Sequence, residues 1–160
     1  MEIKQLDNQI AELLRQHAIK LATAESCTGG LISHRITNLP GSSDYFIGGV
    51  IAYSNQVKQR LLNVEIKTLQ EHGAVSEQTV IQMAIGIRNL LDADIGLSVS
   101  GIAGPAGGTE DKPVGTIWIG LSVSEATTAW KHIFPGNRFQ IKERTAEQAL
   151  IHLVNYLQII

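Results

Sequence analysis

The chain has 160 residues, 44% hydrophobic and 18% charged, with a formal net charge of −2. This balance excludes a disordered chain and gives no electrostatic case for a nucleic-acid partner or an anionic membrane surface. The length suits a single domain, 1–160, with a core of its own. One cysteine, Cys27, cannot form an intrachain disulfide, which agrees with a reducing, cytoplasmic setting. The first five residues lack the basic-then-apolar order of a signal peptide, and no run approaches the roughly 18 apolar residues of a membrane span.

The elements follow from periodicity. Ile3, Leu6, Ile10, Leu13 and Leu14 recur at helical spacing, predicting an amphipathic helix over 3–17. Residues 19–24 read as a strand and 28–37 as a helix that starts on a glycine pair. Pro40 to Ser43 is a loop. Phe46 to Tyr53 reads as a buried strand that Gly48 and Gly49 weaken. A helix follows over 55–62, with Asn55 as its expected cap. Thr68 to His72 is a short helix ended by Gly73. Ser76 caps a clear helix carrying Val80, Met83, Ala84, Ile87 and Leu91. Ile95 to Val99 is a strand, Gly101 to Pro113 a glycine-rich loop, and 116–123 and 128–134 an antiparallel pair. A last helix covers about 138–158. The apolar faces of the two terminal helices suit either core or an interface. Alternating helices and strands point to a layered α/β domain.

Three segments carry the candidate chemistry. Ala24-Glu-Ser-Cys-Thr-Gly-Gly30 joins a strand to a helix through small and hydroxylated residues. Such a turn leaves backbone N–H groups free for an anion or an oxyanion. It also sets two nucleophile types side by side, Ser26 and Cys27. The second segment, Ala52 to Lys58, supplies Tyr53 and Lys58; a partly buried lysine whose pKa falls towards neutrality is a candidate base. The third is Ser100 to Thr109. All three follow strands, and ligands of open α/β sheets bind beyond the carboxyl ends of strands.

Several other chemistries drop out. The glycine-rich loop lacks the Gly-Lys-Ser/Thr ending of a phosphate-binding P-loop. Ser26 sits in neither a Gly-x-Ser-x-Gly elbow nor a Ser-x-x-Lys pattern. Tyr53 and Lys58 are five apart, with no dinucleotide fingerprint. The five histidines are scattered without metal-ligand spacing, so no metal is expected.

Taken together, Thr23-Ala-Glu-Ser-Cys-Thr-Gly-Gly30, Gly41-Ser-Ser43, Tyr53-Ser-Asn55 with Lys58, His72-Gly-Ala-Val-Ser76, Ser100-Gly-Ile-Ala-Gly-Pro105, Gly107-Gly-Thr109 and Lys112-Pro-Val-Gly-Thr116 resemble the nicotinamide-nucleotide amidase family (PncC), equivalent to the C-terminal domain of the competence-damage protein CinA. The resemblance runs from about residue 5 to 158. It implies a three-layer α/β/α fold around a mixed, mostly parallel sheet of about five strands, anticodon-binding-domain-like. It implies hydrolysis of the carboxamide of nicotinamide mononucleotide to nicotinate mononucleotide and ammonia, with no cofactor and a homo-oligomeric state. The N-terminal domain of full-length CinA has no counterpart in these residues, which suggests a stand-alone amidase.

By motif position, Ser26 would be the nucleophile, Lys58 its base and Tyr53 an assisting hydroxyl. Thr28, Gly29, Gly30, Gly41, Ser42, Ser100, Gly101, Gly104, Gly108, Thr109 and Arg138 would bind substrate, phosphate included, and the Gly41–Ser43 loop is one candidate oxyanion donor. The closing segment departs from the family pattern at Asn137, where Asp is common, and at Lys142, where Arg is common; Lys142 stays outside the expected site. A non-catalytic nucleotide-binding regulatory module of the same fold is the alternative.

Overall fold

The structure, a computed structural model, describes residues 3–160. In chain order it contains helix α1 (Ile3–Gln16), strand β1 (Leu21–Glu25), α2 (Leu31–Thr37), a 3-10 turn (Ser42–Asp44), β2 (Phe46–Ile51), α3 (Asn55–Leu62), α4 (Ile66–His72), α5 (Glu77–Leu90), β3 (Ile95–Gly101), β4 (Thr116–Ser122), β5 (Thr127–Ile133) and α6 (Arg138–Leu157). The five strands form one mixed sheet in the order β2-β1-β3-β4-β5. β1 pairs parallel with both β2 and β3, β3 pairs antiparallel with β4, and β4 antiparallel with β5. Four strands therefore point one way, with β4 the exception.

Two cores sandwich the sheet. Leu6, Ile10 and Leu14 of α1 and Ile141, Leu150 and Leu153 of α6 pack on Leu21, Leu97 and Ile117. Met83 and Ile87 of α5 and Leu62 of α3 pack on Ala22 and Ala24 of β1. The apolar faces of α1 and α6 are thus core rather than interface. Every residue of β1 is buried, as a central strand covered on both faces requires. No helix among the described residues is long and apolar enough to cross a membrane.

Local rules account for most boundaries. Ser76 caps α5 by accepting from the Thr79 N–H. Ser54, not Asn55, caps α3, accepting from the Val57 N–H; the strand ends at Ile51, which leaves an extended residue at 54 and moves Asn55 into the first turn. Asn137 caps α6 in a reciprocal box with Gln140, so its departure from Asp keeps the capping oxygen. The glycines of β2 have a packing reason: a Cβ at Gly49 would come within 2.3 Å of Thr23 Oγ1 on the neighbouring strand.

The topology decides where the loops meet. β1, β2, β3 and β5 end at the same edge of the sheet. The 26–30 turn, the 52–54 connection, the 102–115 loop and the start of α6 therefore converge there.

Candidate active site

At that edge lies a cleft of about 280 Å³. Ser26 and Cys27 line it from the β1 turn, Tyr53 from the β2–α3 connection, Asn55 and Lys58 from α3, and Ala74 and Val75 from the α4–α5 connection. The remaining wall is Ser100 to Gly104 with Ala106 and Gly107, and Arg138 comes from α6. Among the described residues, none that lines it is acidic.

Ser26 and Lys58 meet at its floor. Lys58 Nζ lies 3.0 Å from Ser26 Oγ and 2.8 Å from the Ala52 carbonyl, to which it donates. Lys58 is 1% exposed and Ser26 8%. Burial without a carboxylate partner pushes the Lys58 pKa down from 10.5 to about 8. At pH 7 about a tenth of the amine is then neutral, against about 0.03% at the ordinary value. Cys27 has the opposite character. Its thiol is buried in apolar surroundings and its pKa is pushed up to about 12, so it stays protonated and inert.

The turn that carries Ser26 is tied at both ends. Ser26 donates its N–H to Val99 O, and its own carbonyl accepts from Gly29 N. Gly29 and Gly30 take left-handed φ of 61° and 104°, which lets the chain reverse into α2. Beneath the turn lies Glu25, 1% exposed, whose Oε1 accepts from Ile32 N at 2.5 Å and from Thr28 Oγ1 at 3.2 Å, while Oε2 accepts from Ser33 Oγ at 3.4 Å.

This carboxylate corrects one expectation. The start of α2 is not open to a phosphate: Glu25 accepts from Ile32 N, the Thr28 carbonyl accepts from Leu31 N, and the Thr28 hydroxyl is buried and bonded to Glu25. Gly29 and Gly30 lie on the turn but do not line the cleft. Gly41 and Ser42 are also displaced. They precede β2, and the Pro40 and Asp44 carbonyls beside them accept from Arg15 and Lys20, at the amino end of the strands. That is the edge opposite Ser26, and neither residue lines the cleft. Gly108 and Thr109 belong to a turn closed by Thr109 N to Lys112 O, outside the cleft.

Ser100, Gly101 and Gly104 do line the cleft, and Ser100 Oγ is committed to Ala74 O at 2.7 Å. Tyr53 stands 60% exposed at the mouth. Its hydroxyl accepts from Arg138 Nη2 at 2.9 Å, and Arg138 Nη1 donates to Gly104 O at 2.8 Å. One guanidinium thus bridges two walls of the cleft. Lys142, one turn further along α6, brings its amine within 3.8 Å of where a Cβ on Gly29 would stand, closer to the site than expected. Sequence reasoning missed the role of Glu25 and the cleft position of Asn55. An acid at the end of an otherwise small-residue strand was the available signal for the first; for the second it was the place of Asn55 in the Ala52–Lys58 segment and in the Tyr53-Ser-Asn55 motif.

Residues 3–157 match the family model described as the CinA C-terminal domain. A CinA-like protein of Thermotoga maritima is 46% identical over 155 residues, covering 97% of this chain and 38% of its own. The chain spans under two fifths of the length of the curated relatives it matches first. Among solved structures, a competence-damaged protein (CinA) superfamily protein of Klebsiella pneumoniae 700603 superposes with TM-score 0.96 at 31% identity, over 100% of both chains. The competence damage-inducible protein A (ComA) of Klebsiella pneumoniae subsp. pneumoniae MGH 78578 gives 0.95 at 33%, over 99% of this chain and 98% of that one. The chain belongs to the CinA C-terminal domain family.

Proposed function

We propose that this CinA C-terminal domain is an amidohydrolase that cleaves the carboxamide of nicotinamide mononucleotide, with Ser26 as nucleophile and Lys58 as general base. The observation that carries this reading is the 3.0 Å approach of a buried, carboxylate-free lysine to a buried serine at the floor of an open cleft. A module that only binds nucleotide has no use for a lysine whose ammonium is penalised by burial. The substrate class comes from the resemblance of the cleft motifs to the nicotinamide-nucleotide amidases.

The steps follow from the groups present. Neutral Lys58 takes the Ser26 proton as Oγ attacks the amide carbon, and Ala52 O holds the amine in place. The resulting oxyanion needs N–H donors. Ala103, Gly104, Ala106 and Gly107 line the cleft, and among the described residues their N–H groups donate to no backbone carbonyl, which makes them the candidate donors. Lysine then returns its proton to the departing ammonia, leaving an acyl-serine that water hydrolyses by the same base. The pyridinium's fixed positive charge favours neutral Lys58 by like-charge repulsion. Arg138, with no acid in the cleft beside it, suits the anionic end of the nucleotide.

The deciding experiment is ammonia release from nicotinamide mononucleotide by the purified chain, with Ser26→Ala as control. Release by the parent and not by the control supports the reading; nucleotide binding without release supports the regulatory module instead.

A further inference from the structure

We propose that Glu25 is a positioning residue for the nucleophile: its carboxylate braces the underside of the 26–30 turn and holds Ser26 Oγ against Lys58 Nζ. The mechanism above uses Ser26, Lys58 and Arg138 and has no step for a buried acid one residue before the serine.

The contacts are one-sided. Every group around the carboxylate is a donor: the Ile32 N–H and the hydroxyls of Thr28 and Ser33. No cationic side chain pairs with it among the described residues. Burial raises its pKa, and these hydrogen bonds offset only part of the rise. The Ile32 N–H can only donate, while the two hydroxyls can turn to accept, so an amide keeps one Ile32 bond but loses the charge that strengthens all three.

The position explains why an acid of this length is used. The two left-handed glycines give the end of the turn no side chains of its own to pack. Glu25 Oε2 instead sits 3.8 Å from where a Cβ on Gly30 would be, directly beneath the backbone. At the same time the Glu25 carbonyl accepts from Ala52 N at 2.8 Å, and the Ala52 carbonyl accepts from Lys58 Nζ. Residue 25 thus belongs to a closed ring running Glu25, Ser26, Lys58, Ala52 and back. Its main chain locates the base, and its side chain locates the nucleophile. An Asp, one methylene shorter, would not span from β1 to Ile32.

A purely stabilising cap would predict something else, so the test separates the two. Glu25→Gln is made in the full chain and followed by melting, by kcat and KM for ammonia release, and by the rate at which a fluorophosphonate labels Ser26, read by mass spectrometry. The labelling rate needs only the dyad, whereas kcat also rests on the amidase reading. The expected result is a folded variant with KM within about twofold, and with kcat and labelling both lower by about 10²-fold, the size of effect that misplacing a reacting group by about 1 Å produces. Its acidic pH limb should also move upward, because a loosened turn admits water to Lys58.

A folded variant with unchanged labelling and an unmoved limb overturns the proposal, as does a rise in KM alone. If Glu25→Gln fails to fold, Thr28→Val and Ser33→Ala each remove one donor, and labelling lower by about 3–10-fold sustains the proposal while full labelling overturns it. Labelling of Ser26 without ammonia release would overturn the amidase reading and leave this one standing; no labelling of the parent at Ser26 would end both.

Discussion

Ala52 donates its N–H to Glu25 O at 2.8 Å and accepts from Lys58 Nζ at 2.8 Å. This double use of one alanine backbone sets the distance between nucleophile and base. The parallel register pairs Glu25 with Ile51, so Ser26 and Ala52 leave adjacent strands side by side. The capped first turn of α3 then swings Lys58 back over them. Four consequences can be measured.

Ser26→Ala should abolish ammonia release, by at least about 10³-fold in kcat, since nothing else in the cleft replaces the nucleophile. Cys27→Ala should keep kcat within about threefold, at a cost of about 1 kcal/mol in stability from the small cavity left. Steady-state kinetics and denaturant melts of the two variants decide it. The reverse pattern would transfer the nucleophile to Cys27.

Activity should rise with pH through about 8, because the base works when neutral and its pKa is held at about 8. Lys58→Met should be inactive yet more stable at pH 7. The sign follows from linkage. The folded pKa lies below the unfolded 10.5, so the unfolded chain binds the extra proton more readily; this penalty is absent above 10.5 and grows as pH falls to 8. Removing the amine should therefore add about 1–3 kcal/mol at pH 7, less the lost bond to Ala52 O. A urea melt of the variant measures it.

Arg138→Ala removes the bridge between Tyr53 and Gly104 and, among the described residues, the one guanidinium lining the cleft. KM for the nucleotide should rise by about 10-fold or more, and its dependence on salt should weaken. Lys142→Ala, one turn further out, should raise KM by about 3–10-fold. Turnover of the corresponding nucleoside, which has no phosphate, should be less affected by either change. Equal losses on both compounds would move the anion contact elsewhere.

The fourth consequence concerns stability alone. His132 and His152 meet at 2.9 Å between β5 and α6, with His152 stacked on Trp130 at 4.0 Å between ring centres. Burial lowers both pKa values, and the neighbouring His132 adds to the lowering of His152, to about 4. Folded values below the unfolded 6.5 mean that this contribution is complete above pH 6.5 and is lost as pH falls towards 4. The melting temperature should fall across that window, and His152→Phe should flatten the fall.

The sequence by itself determined the elements, because each boundary is a local event. Apolar periodicity drew α1, α5 and α6, Ser76 marked the start of α5, and Gly73 the end of α4. It also singled out the three strand ends and, through the resemblance of their motifs, the residues Ser26, Lys58 and Tyr53. Only the tertiary structure decided which loops share a site. The Gly41–Ser42 loop entered the expected site through the resemblance alone, yet it precedes a strand of the parallel set where the other three loops follow one, and strand direction puts it at the far edge. The start of α2 looked open to an anion, but Glu25 folds back seven residues along the chain to fill it. Strand order, parallel register and a buried side chain closing on its own turn are long-range or side-chain facts. No local pattern encodes them, because their free energy comes from burial and hydrogen bonding that exist only once the sheet has formed.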